Sequence, residues 1–227
     1  MTAAPSIADL LRPVRHVLLD FDGPLCSVFA GLPAPEVAER LRGGLLAKGE
    51  QVPPDGETET DPLALLRLVA DARPDLAKVT DQALTGLETD AVRVGRPNEG
   101  GESLLRACAR SGRSVSVVSN NAGAAITAYL VERELDRYVV GVFGRVVGDP
   151  ASMKPSPRLL VDAMDARGSK PGECIFIGDA ARDVEAGFAA GISTIGYANK
   201  PGKDARLAEA GAVLVVDSMQ TIADALE

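Results

Sequence analysis

The chain has 227 residues, of which 46% are hydrophobic and 25% are charged, and its formal net charge is -8 at pH 7. This length predicts one sizeable core that carries an inserted or appended piece, and no run approaches the roughly 18 apolar residues that a membrane span requires. The acidic balance, with no basic stripe that interleaves aromatic residues, argues against nucleic acid as a partner.

The N-terminal sequence MTAAPSIADLLRPVR has neither a basic start nor an apolar stretch long enough for export, so we expect a cytoplasmic protein. Cysteine use agrees with that expectation. Cys26, Cys108 and Cys174 are odd in number and far apart, unlike a disulfide framework or a zinc site. We expect three buried free thiols.

The first predicted element is a strand over 16–22, HVLLDFD, whose apolar run stops at Asp20 and Asp22. Burial disfavours a carboxylate unless a metal ion or hydrogen-bond donors pair with it, so both acids are candidate site residues. Gly23 and Pro24 follow, and they predict a break in the strand that lets Asp22 turn toward a ligand.

Residues 27–95 predict three helices in a row and no convincing strand. Their apolar faces are Val37, Leu41 and Leu45; Leu63, Leu66 and Val69; and Leu76, Val79, Ala83 and Leu87. The polar, turn-rich segment 49–62 predicts a loop. We therefore expect a core formed by 1–26 and 96–227, with 27–95 as an inserted α-helical domain.

Strands and helices alternate in the rest of the chain. Predicted strands cover 114–120, 174–179, 193–198 and 212–218, with a weaker one at 144–148. Helical patterns lie between them, at Leu104, Leu105 and Cys108; at Ile126, Leu130 and Leu135; and at Leu159, Leu160, Ala163 and Met164, opened by Ser156 and Pro157. Continuous apolar strands are buried on both faces. The predicted fold is α/β, a three-layer, Rossmann-like parallel sheet with the helical insertion.

Ligands of open parallel sheets bind beyond the carboxyl ends of the strands. Ser119 and Asn120 end the second predicted strand, Asp179 ends the strand at 174–179, and Asp183 follows four residues later. Lys154 precedes a predicted helix. Together with the two acids of the first strand, these residues form a candidate site.

Carboxylates crowded around one crevice raise each other's pKa unless a divalent cation lies among them. Oxygen ligands favour a hard ion, and a sparse set favours Mg²⁺ over Ca²⁺. Zinc is disfavoured because the only histidine, His16, begins the first strand, far from its carboxyl end, where we expect a structural or solvated role.

Each candidate residue alone also has an ordinary structural interpretation. These are a hairpin turn at Asp22, a helix cap at Asp179, a solvated first-turn acid at Asp183, a surface charge at Lys154 and a polar turn at Ser119 and Asn120. For all of these interpretations to be correct, every one of the candidate residues would have to lie at the same sheet edge by chance.

Four ordered motifs resemble those of the haloacid dehalogenase-like hydrolase superfamily, and the resemblance covers essentially the whole chain. They are Asp20-Phe-Asp-Gly-Pro-Leu, Ser119-Asn120, Lys154-Pro, and Gly178-Asp179 with Asp183. The helical insertion resembles the family's first cap type, as in phosphoglycolate-phosphatase-like members. The family usually carries threonine or valine where this chain has Pro24.

The resemblance implies a role for each residue. Asp20 would be the nucleophile, Asp22 the general acid and base, and Lys154 with Mg²⁺ would neutralise the phosphoryl group. The Ser119 hydroxyl and the amide of Asn120 would hold phosphoryl oxygens. The implied metal ligands are the Asp20 carboxylate, the Asp22 carbonyl, Asp179, and Asp183 directly or through water.

The activity so implied is a Mg²⁺-dependent phosphatase that acts on a small phosphorylated metabolite through an aspartyl-phosphate. A β-phosphoglucomutase-like phosphomutase and a non-catalytic phosphate-binding module stay open, as do the monomer and the homodimer. Specificity is expected from 27–95, although Arg40, Arg42 and Lys48 are interpreted as the solvated side of a helix.

Overall fold

The structure, a computed structural model, describes residues 6–226. The first five residues of the N-terminal stretch considered for export lie outside this range, as does Glu227. Within residues 6–226, every helix falls short of the length and apolar content needed to cross a bilayer. Cys26, Cys108 and Cys174 are buried free thiols, as predicted.

A six-stranded, all-parallel sheet lies at the centre of the fold, in the order β5-β4-β1-β6-β7-β8. Its strands are β1 (His16–Leu19), β4 (Ser114–Ala122), β5 (Gly141–Arg145), β6 (Cys174–Gly178), β7 (Ser193–Tyr197) and β8 (Leu214–Val216). Two short strands, β2 (Cys26–Ser27) and β3 (Arg96–Pro97), pair antiparallel with each other. The predicted parallel sheet is confirmed.

Ten α-helices accompany the strands in the described residues. They are α1 (Ile7–Leu11), α2 (Ala34–Leu46), α3 (Pro62–Ala72), α4 (Ala77–Arg93), α5 (Glu99–Arg110), α6 (Gly123–Glu132), α7 (Arg158–Arg167), α8 (Ala181–Ala189), α9 (Lys203–Glu209) and α10 (Met219–Asp224). Three of them, α2 to α4, fill the segment 27–95 between β2 and β3. Whether that segment is a separate domain with these boundaries stays a prediction.

Alternate residues of β1 pack on opposite sides of the sheet. Val17 and Leu19 belong to one buried apolar cluster, whereas Leu18 belongs to a second. In β6, Ile175 and Phe176 divide between the same two clusters. The strands are therefore covered on both faces, which explains their continuous apolar sequences and gives the three layers that the sequence predicted.

The weaker predicted strand at 144–148 was placed too late in the chain. The strand is β5, and Val142 and Phe143 pair with residues of β4. The valines that suggested the later position, Val146 and Val147, are exposed. The pairing ends at Arg145, whose side chain is buried in an ion-pair cluster described below.

Two local predictions were also wrong. The helix α7 starts at Arg158 with Pro157 at the N-cap position, one residue later than predicted, although Ser156 Oγ accepts a hydrogen bond from the Arg158 amide at 3.3 Å. In α4, the predicted face is only partly the buried one. The most deeply buried positions of α4 include Asp81 and Glu88, which pair with a buried arginine.

His16 is a structural residue at the amino end of β1. It is 1% exposed, and its ring nitrogens lie 2.8 Å from Ser116 Oγ and 3.1 Å from Ser169 Oγ. Burial, aided by the positive charge of Arg167, lowers the pKa of His16 to about 4. The folded protein therefore keeps this imidazole neutral.

This burial predicts a loss of stability in mild acid. An unfolded histidine takes up a proton near pH 6.5, whereas folded His16 does so only near pH 4, so falling pH favours the unfolded state. Between pH 6.5 and 5, the unfolding free energy of the wild type should therefore fall by about 1–2 kcal/mol more than that of the His16→Gln protein, which has no imidazole at this position. Urea unfolding at both pH values measures the difference, and equal losses in the two proteins would contradict the prediction.

Candidate active site

Three acids meet at the carboxyl edge of the sheet, beyond the ends of two neighbouring strands. Asp20 follows β1, Asp179 follows β6, and Asp183 lies in the first turn of α8. One carboxylate oxygen from each acid lies within 4.8 Å of the other two. The structure thus brings together the three acids for which the sequence predicted a shared cation.

Lys154 is the buried cation of this group, and 1% of its side chain is exposed. Its Nζ lies 2.9 Å from Asp20 Oδ1 and 2.7 Å from Asp183 Oδ1. Burial acts to lower the pKa of Lys154, but the carboxylates of Asp183 and Asp20 outweigh that effect and hold the pKa above its ordinary value. The lysine is therefore a charged donor inside the site.

Asp20 has one carboxylate oxygen engaged by its surroundings. Oδ1 accepts a hydrogen bond from the Phe21 amide at 2.8 Å and also contacts Lys154. Burial raises the pKa of Asp20 against the opposing charge of Lys154, and Asp183 and Asp179 raise it further. Burial is thus the main cause of the raised pKa, and the two neighbouring acids add to it.

Asp183 is fully buried and is held by the turn that precedes α8. Its Oδ2 accepts hydrogen bonds from the amides of Asp179 and Ala180, at 3.0 and 2.9 Å. A Cβ at Gly178 would lie 2.5 Å from this carboxylate, so the strand must end on glycine to let Asp183 approach. Asp183 therefore joins the buried base of the site, where its Oδ1 faces Lys154.

Asp22 lies in the turn after β1, because that strand stops at Leu19 and not at residue 22 as predicted. Its Oδ1 accepts a hydrogen bond from the Val28 amide at 3.0 Å. Gly23 follows with a φ of +103°, and a Cβ there would lie 2.6 Å from Asp179 Oδ2. Burial raises the pKa of Asp22 to about 6, although the Val28 amide opposes the rise.

Ser119 and Asn120 lie near the carboxyl end of β4, and both are buried. The Asn120 side chain holds the backbone of Lys154, since Oδ1 accepts from the Lys154 amide at 2.8 Å and Nδ2 donates to its carbonyl at 3.2 Å. The Asn120 side chain therefore positions the backbone of Lys154. The Ser119 hydroxyl donates to Asn121 Oδ1 at 3.2 Å.

Sequence reasoning missed the partners of Asp179. Its Oδ2 accepts from Asn199 Nδ2 at 2.8 Å and from Lys203 Nζ. Both partners follow β7, the strand beside β6. Polar residues directly after a predicted strand were the available signal, and the same rule that selected Asp179 applies to them.

A small cavity of about 30 Å³ opens onto these groups, and we call it the acidic pocket. Six predicted site residues line it: Asp20, Asp22, Ser119, Asn120, Lys154 and Asp179. Leu63 of α3 and Arg182 of α8 line it as well, and Arg67 of α3 donates to the Lys154 carbonyl at 2.8 Å. The helical segment thus reaches the pocket through α3, and Arg67 and Arg182 were not predicted from the sequence.

The donor set of the acidic pocket fits a hard divalent cation. Every nearby ligand atom of the three acids is an oxygen, and the buried ammonium group of Lys154 contacts two of the three carboxylates. Asp183 Oδ1 has the ion-pair contact with Lys154 but no well-directed hydrogen bond within residues 6–226, and Asn199 Oδ1 is likewise buried without one. Oxygen donors and uncompensated negative charge are what Mg²⁺ binds.

A second buried ion cluster contacts the carboxyl end of β4. Arg145 at the end of β5 contacts Asp81 Oδ1 at 2.9 Å and Glu88 Oε2 at 3.0 Å, and all three side chains are at most 1% exposed. The arginine also donates to the Asn120 carbonyl at 2.8 Å. The amide of Ala122 donates to Glu88 Oε2 at 3.0 Å.

This cluster joins α4 to the strand ends that carry Ser119 and Asn120. Burial acts to lower the pKa of Arg145, but the negative charge of Glu88 and then of Asp81 raises it above the ordinary value. A buried arginine with two carboxylates is fully paired here. The helical segment is therefore connected to the candidate site by charge as well as by apolar packing.

Comparison with known proteins agrees with this geometry. The sequence model of a family described as haloacid dehalogenase-like hydrolase matches residues 14–191. The chain is 26% identical to phosphoglycolate phosphatase 1 of Pseudomonas aeruginosa, over 97% of this chain and 75% of the relative. It is 28% identical to N-acetylmuramic acid 6-phosphate phosphatase of the same organism, over 94% of this chain and 95% of the relative.

The fold has counterparts among solved structures. A predicted phosphatase from Clostridium acetobutylicum superimposes with a TM-score of 0.71 over 93% of this chain and 97% of that one, at 20% identity. At this identity the likeness concerns the fold alone.

The buried Arg145 cluster predicts a large effect on stability. Arg145→Met leaves Asp81 and Glu88 buried without their cation, which should cost about 3–5 kcal/mol of unfolding free energy. Adding Asp81→Leu and Glu88→Met should recover part of that loss, because no buried charge is then left unpaired, while the amides of Ala122 and Gly148 lose their acceptors. Urea unfolding measures both.

Arg158→Met is the matched control, because Arg158 pairs with Asp162 on the exposed side of α7. It should cost less than about 1 kcal/mol. A loss of that small size at Arg145 would contradict the account of the cluster.

Proposed function

The chain belongs to the haloacid dehalogenase-like hydrolase family, and on that premise we propose that it is a Mg²⁺-dependent phosphatase that hydrolyses a small phosphorylated metabolite through an aspartyl-phosphate. The observation that carries the proposal is the group of three carboxylates within 4.8 Å of one another, with Lys154 bound to two of them. The relatives named as phosphatases support the same class of reaction.

Asp20 is the nucleophile of the proposed reaction. With Oδ1 engaged by the Phe21 amide and by Lys154, Oδ2 is left to attack phosphorus. A bond forms between Oδ2 and phosphorus as the bond from phosphorus to the leaving oxygen breaks, which divides one difficult step into two easier ones. Lys154 stabilises the negative charge of the phosphoryl oxygens during transfer.

Asp22 supplies and removes the protons. Its carboxyl group gives a proton to the leaving oxygen, and the resulting carboxylate takes a proton from the water that attacks the aspartyl-phosphate. Inorganic phosphate leaves and the Asp20 carboxylate is regenerated. A pKa raised by burial to about 6 suits a group that must hold a proton in one step and accept one in the next.

Mg²⁺ would be held by Asp20 and Asp179, by the Asp22 carbonyl, and by Asp183 directly or through water. The bound ion would supply positive charge for the phosphoryl oxygens. The Ser119 hydroxyl and the Asn120 backbone amide would bind those oxygens from the other side.

Residues 27–95 serve as the cap of this proposed enzyme. Leu63 lines the acidic pocket, and Arg67 binds the backbone of Lys154. The acidic pocket is small, at about 30 Å³, and opening of the cap would admit the substrate. Closure then excludes water from the transfer step.

Removal of the nucleophile tests the mechanism. Asp20→Asn should reduce release of p-nitrophenol from p-nitrophenyl phosphate by at least about 10³-fold, because the amide cannot form the phosphoryl bond. Asp162→Asn, an exposed acid on α7, is the control and should keep wild-type turnover. Equal turnover in the Asp20→Asn protein would remove this residue from the mechanism.

Removal of the metal tests the cofactor. Exhaustive treatment with a chelator should abolish turnover, and added Mg²⁺ should restore it because three carboxylates otherwise repel one another and the phosphoryl group. In Asp179→Asn the concentration of Mg²⁺ for half-maximal activity should rise about tenfold or more. Full activity of the chelated protein would contradict the proposal.

The product distinguishes the proposed hydrolysis from phosphomutase activity. A phosphatase releases one inorganic phosphate for each sugar phosphate consumed, whereas a mutase yields an isomer with little free phosphate. A pure phosphate-binding module would yield neither product.

A further inference from the structure

A larger cavity of about 590 Å³ adjoins the acidic pocket and is not used by the chemistry described above. The two spaces share three lining residues, Asp22, Asp179 and Arg182. The larger cavity therefore lies next to the acidic pocket on the side of Asp22, the proposed general acid. This volume is within the range of small-molecule sites. Its position is where the leaving group of a phosphate ester would extend once the phosphoryl group lies beside Asp20.

The lining of this cavity is strongly basic, and we call it the cationic cavity. Its positively charged residues are Arg96, Arg182, Lys200, Lys203 and Arg206. Its acids are Asp22 and Asp179 alone, and Lys203 already pairs with Asp179. The lining therefore has a positive balance in a chain whose net charge is -8.

The side chains of the other four cations make no ion pair or hydrogen bond within residues 6–226, although the charge of Arg182 acts on nearby Asp22. Many arginines elsewhere on the surface do have one, as Arg158 has Asp162 and Arg40 has Glu36. Single exposed cations are commonly solvated, and alone they indicate nothing. Four unpaired cations around one cavity beside a reactive site create a local positive potential that favours an anion.

Arg67 adds a further positive charge close to Arg182, although it lines neither space. Burial lowers the pKa of Arg67, and the positive charge of Arg182 lowers it further, which means that the two guanidinium groups lie close enough to repel each other. Asp61 and Asp71 oppose that effect from α3 and its N-cap. An anionic ligand between the arginines would relieve the repulsion.

We propose that the cationic cavity binds a second anionic group, so that the substrate is a phosphate monoester whose leaving group itself carries a carboxylate or a second phosphate. This proposal rests on the proposed phosphatase function. The phosphoryl group occupies the acidic pocket, the leaving oxygen lies beside Asp22, and the second anion contacts Arg96 and Arg206 at the far side of the cavity. Guanidinium groups bind carboxylates and phosphates through paired, charge-assisted hydrogen bonds.

Matched pairs of substrates test the proposal with the full-length protein and Mg²⁺. N-acetylmuramic acid 6-phosphate differs from N-acetylglucosamine 6-phosphate by a lactyl ether that bears a carboxylate. Phosphoglycolate differs from 2-hydroxyethyl phosphate in the same way on a smaller frame. Fructose 1,6-bisphosphate against fructose 6-phosphate supplies the second phosphate.

The quantity compared within each pair is the ratio of kcat/KM, measured by release of inorganic phosphate. We expect the charged member to be favoured about tenfold or more in at least one class of pair, and the class that is favoured identifies carboxylate or phosphate as the second anion. The preference should weaken as ionic strength rises, because the cations are exposed.

Charge-removing variants assign the preference to the cavity. The double variant Arg96→Gln with Arg206→Gln should lower the ratio about tenfold, mainly through KM for the charged member. The double variant Arg12→Gln with Arg137→Gln is the control, because it removes an equal charge from exposed residues paired with Asp9 and Glu134, outside the cavity. That control should leave the ratio unchanged.

Two failures are distinguishable. If both members of every pair give equal kcat/KM, or if the double variant keeps the wild-type ratio, the second anion site is wrong while the phosphatase function stands. If no phosphate is released from any ester, the phosphatase function is wrong. Calorimetric titration of the Asp20→Asn protein with the same pairs then measures the preference as affinity, and equal affinities would overturn the proposal without recourse to turnover.

Discussion

The arrangement depends on an imbalance of buried charge: three carboxylates share a small volume with one lysine that pairs directly with two of them. Lys203 offsets part of the charge of Asp179 from the rim, but the pKa of Asp20 is still raised. Carboxylates so close together persist only where further positive charge is available. A bound divalent cation would supply that charge, both to the carboxylates and to the oxygens of a phosphoryl group, and this is the physical basis for the proposed reaction.

The surrounding structure maintains that arrangement. Gly178 lets Asp183 fold back against the end of β6, and Gly23 leaves room for Asp179 beside the turn that carries Asp22. On the other side, Arg145 ties α4 to the carbonyl of Asn120, whose side chain in turn holds the backbone of Lys154. The acids and the lysine are therefore fixed by backbone geometry and buried ion pairs. Beyond Asp22 the charge changes sign, and the cationic cavity is the region that we propose binds a second anion.

Much of this site could be predicted from the sequence because its parts are local. Asp20, Asp179 and Asp183 follow apolar strands, and the rule that parallel strands present their carboxyl ends at one edge brings them together. The α/β fold followed from continuous apolar strands alternating with helical patterns.

The errors have physical causes too. Charged residues are expected at the surface, so Asp81 and Glu88 were not recognised as the buried side of α4, since their partner Arg145 is more than 50 residues away. Val146 and Val147 suggested a strand, although the strand that forms ends at Arg145. Arg67 and Arg182 show no local signal, because their role depends on how α3 and α8 meet at the pocket.

A crystal structure with Mg²⁺ and the phosphoryl analogue beryllium fluoride tests the central claim most directly. It should show the fluoride complex on Asp20 and one Mg²⁺ about 2.1 Å from carboxylate oxygens of Asp20 and Asp179, whereas a Mg²⁺ bound elsewhere, with Asp20 unmodified, would contradict it.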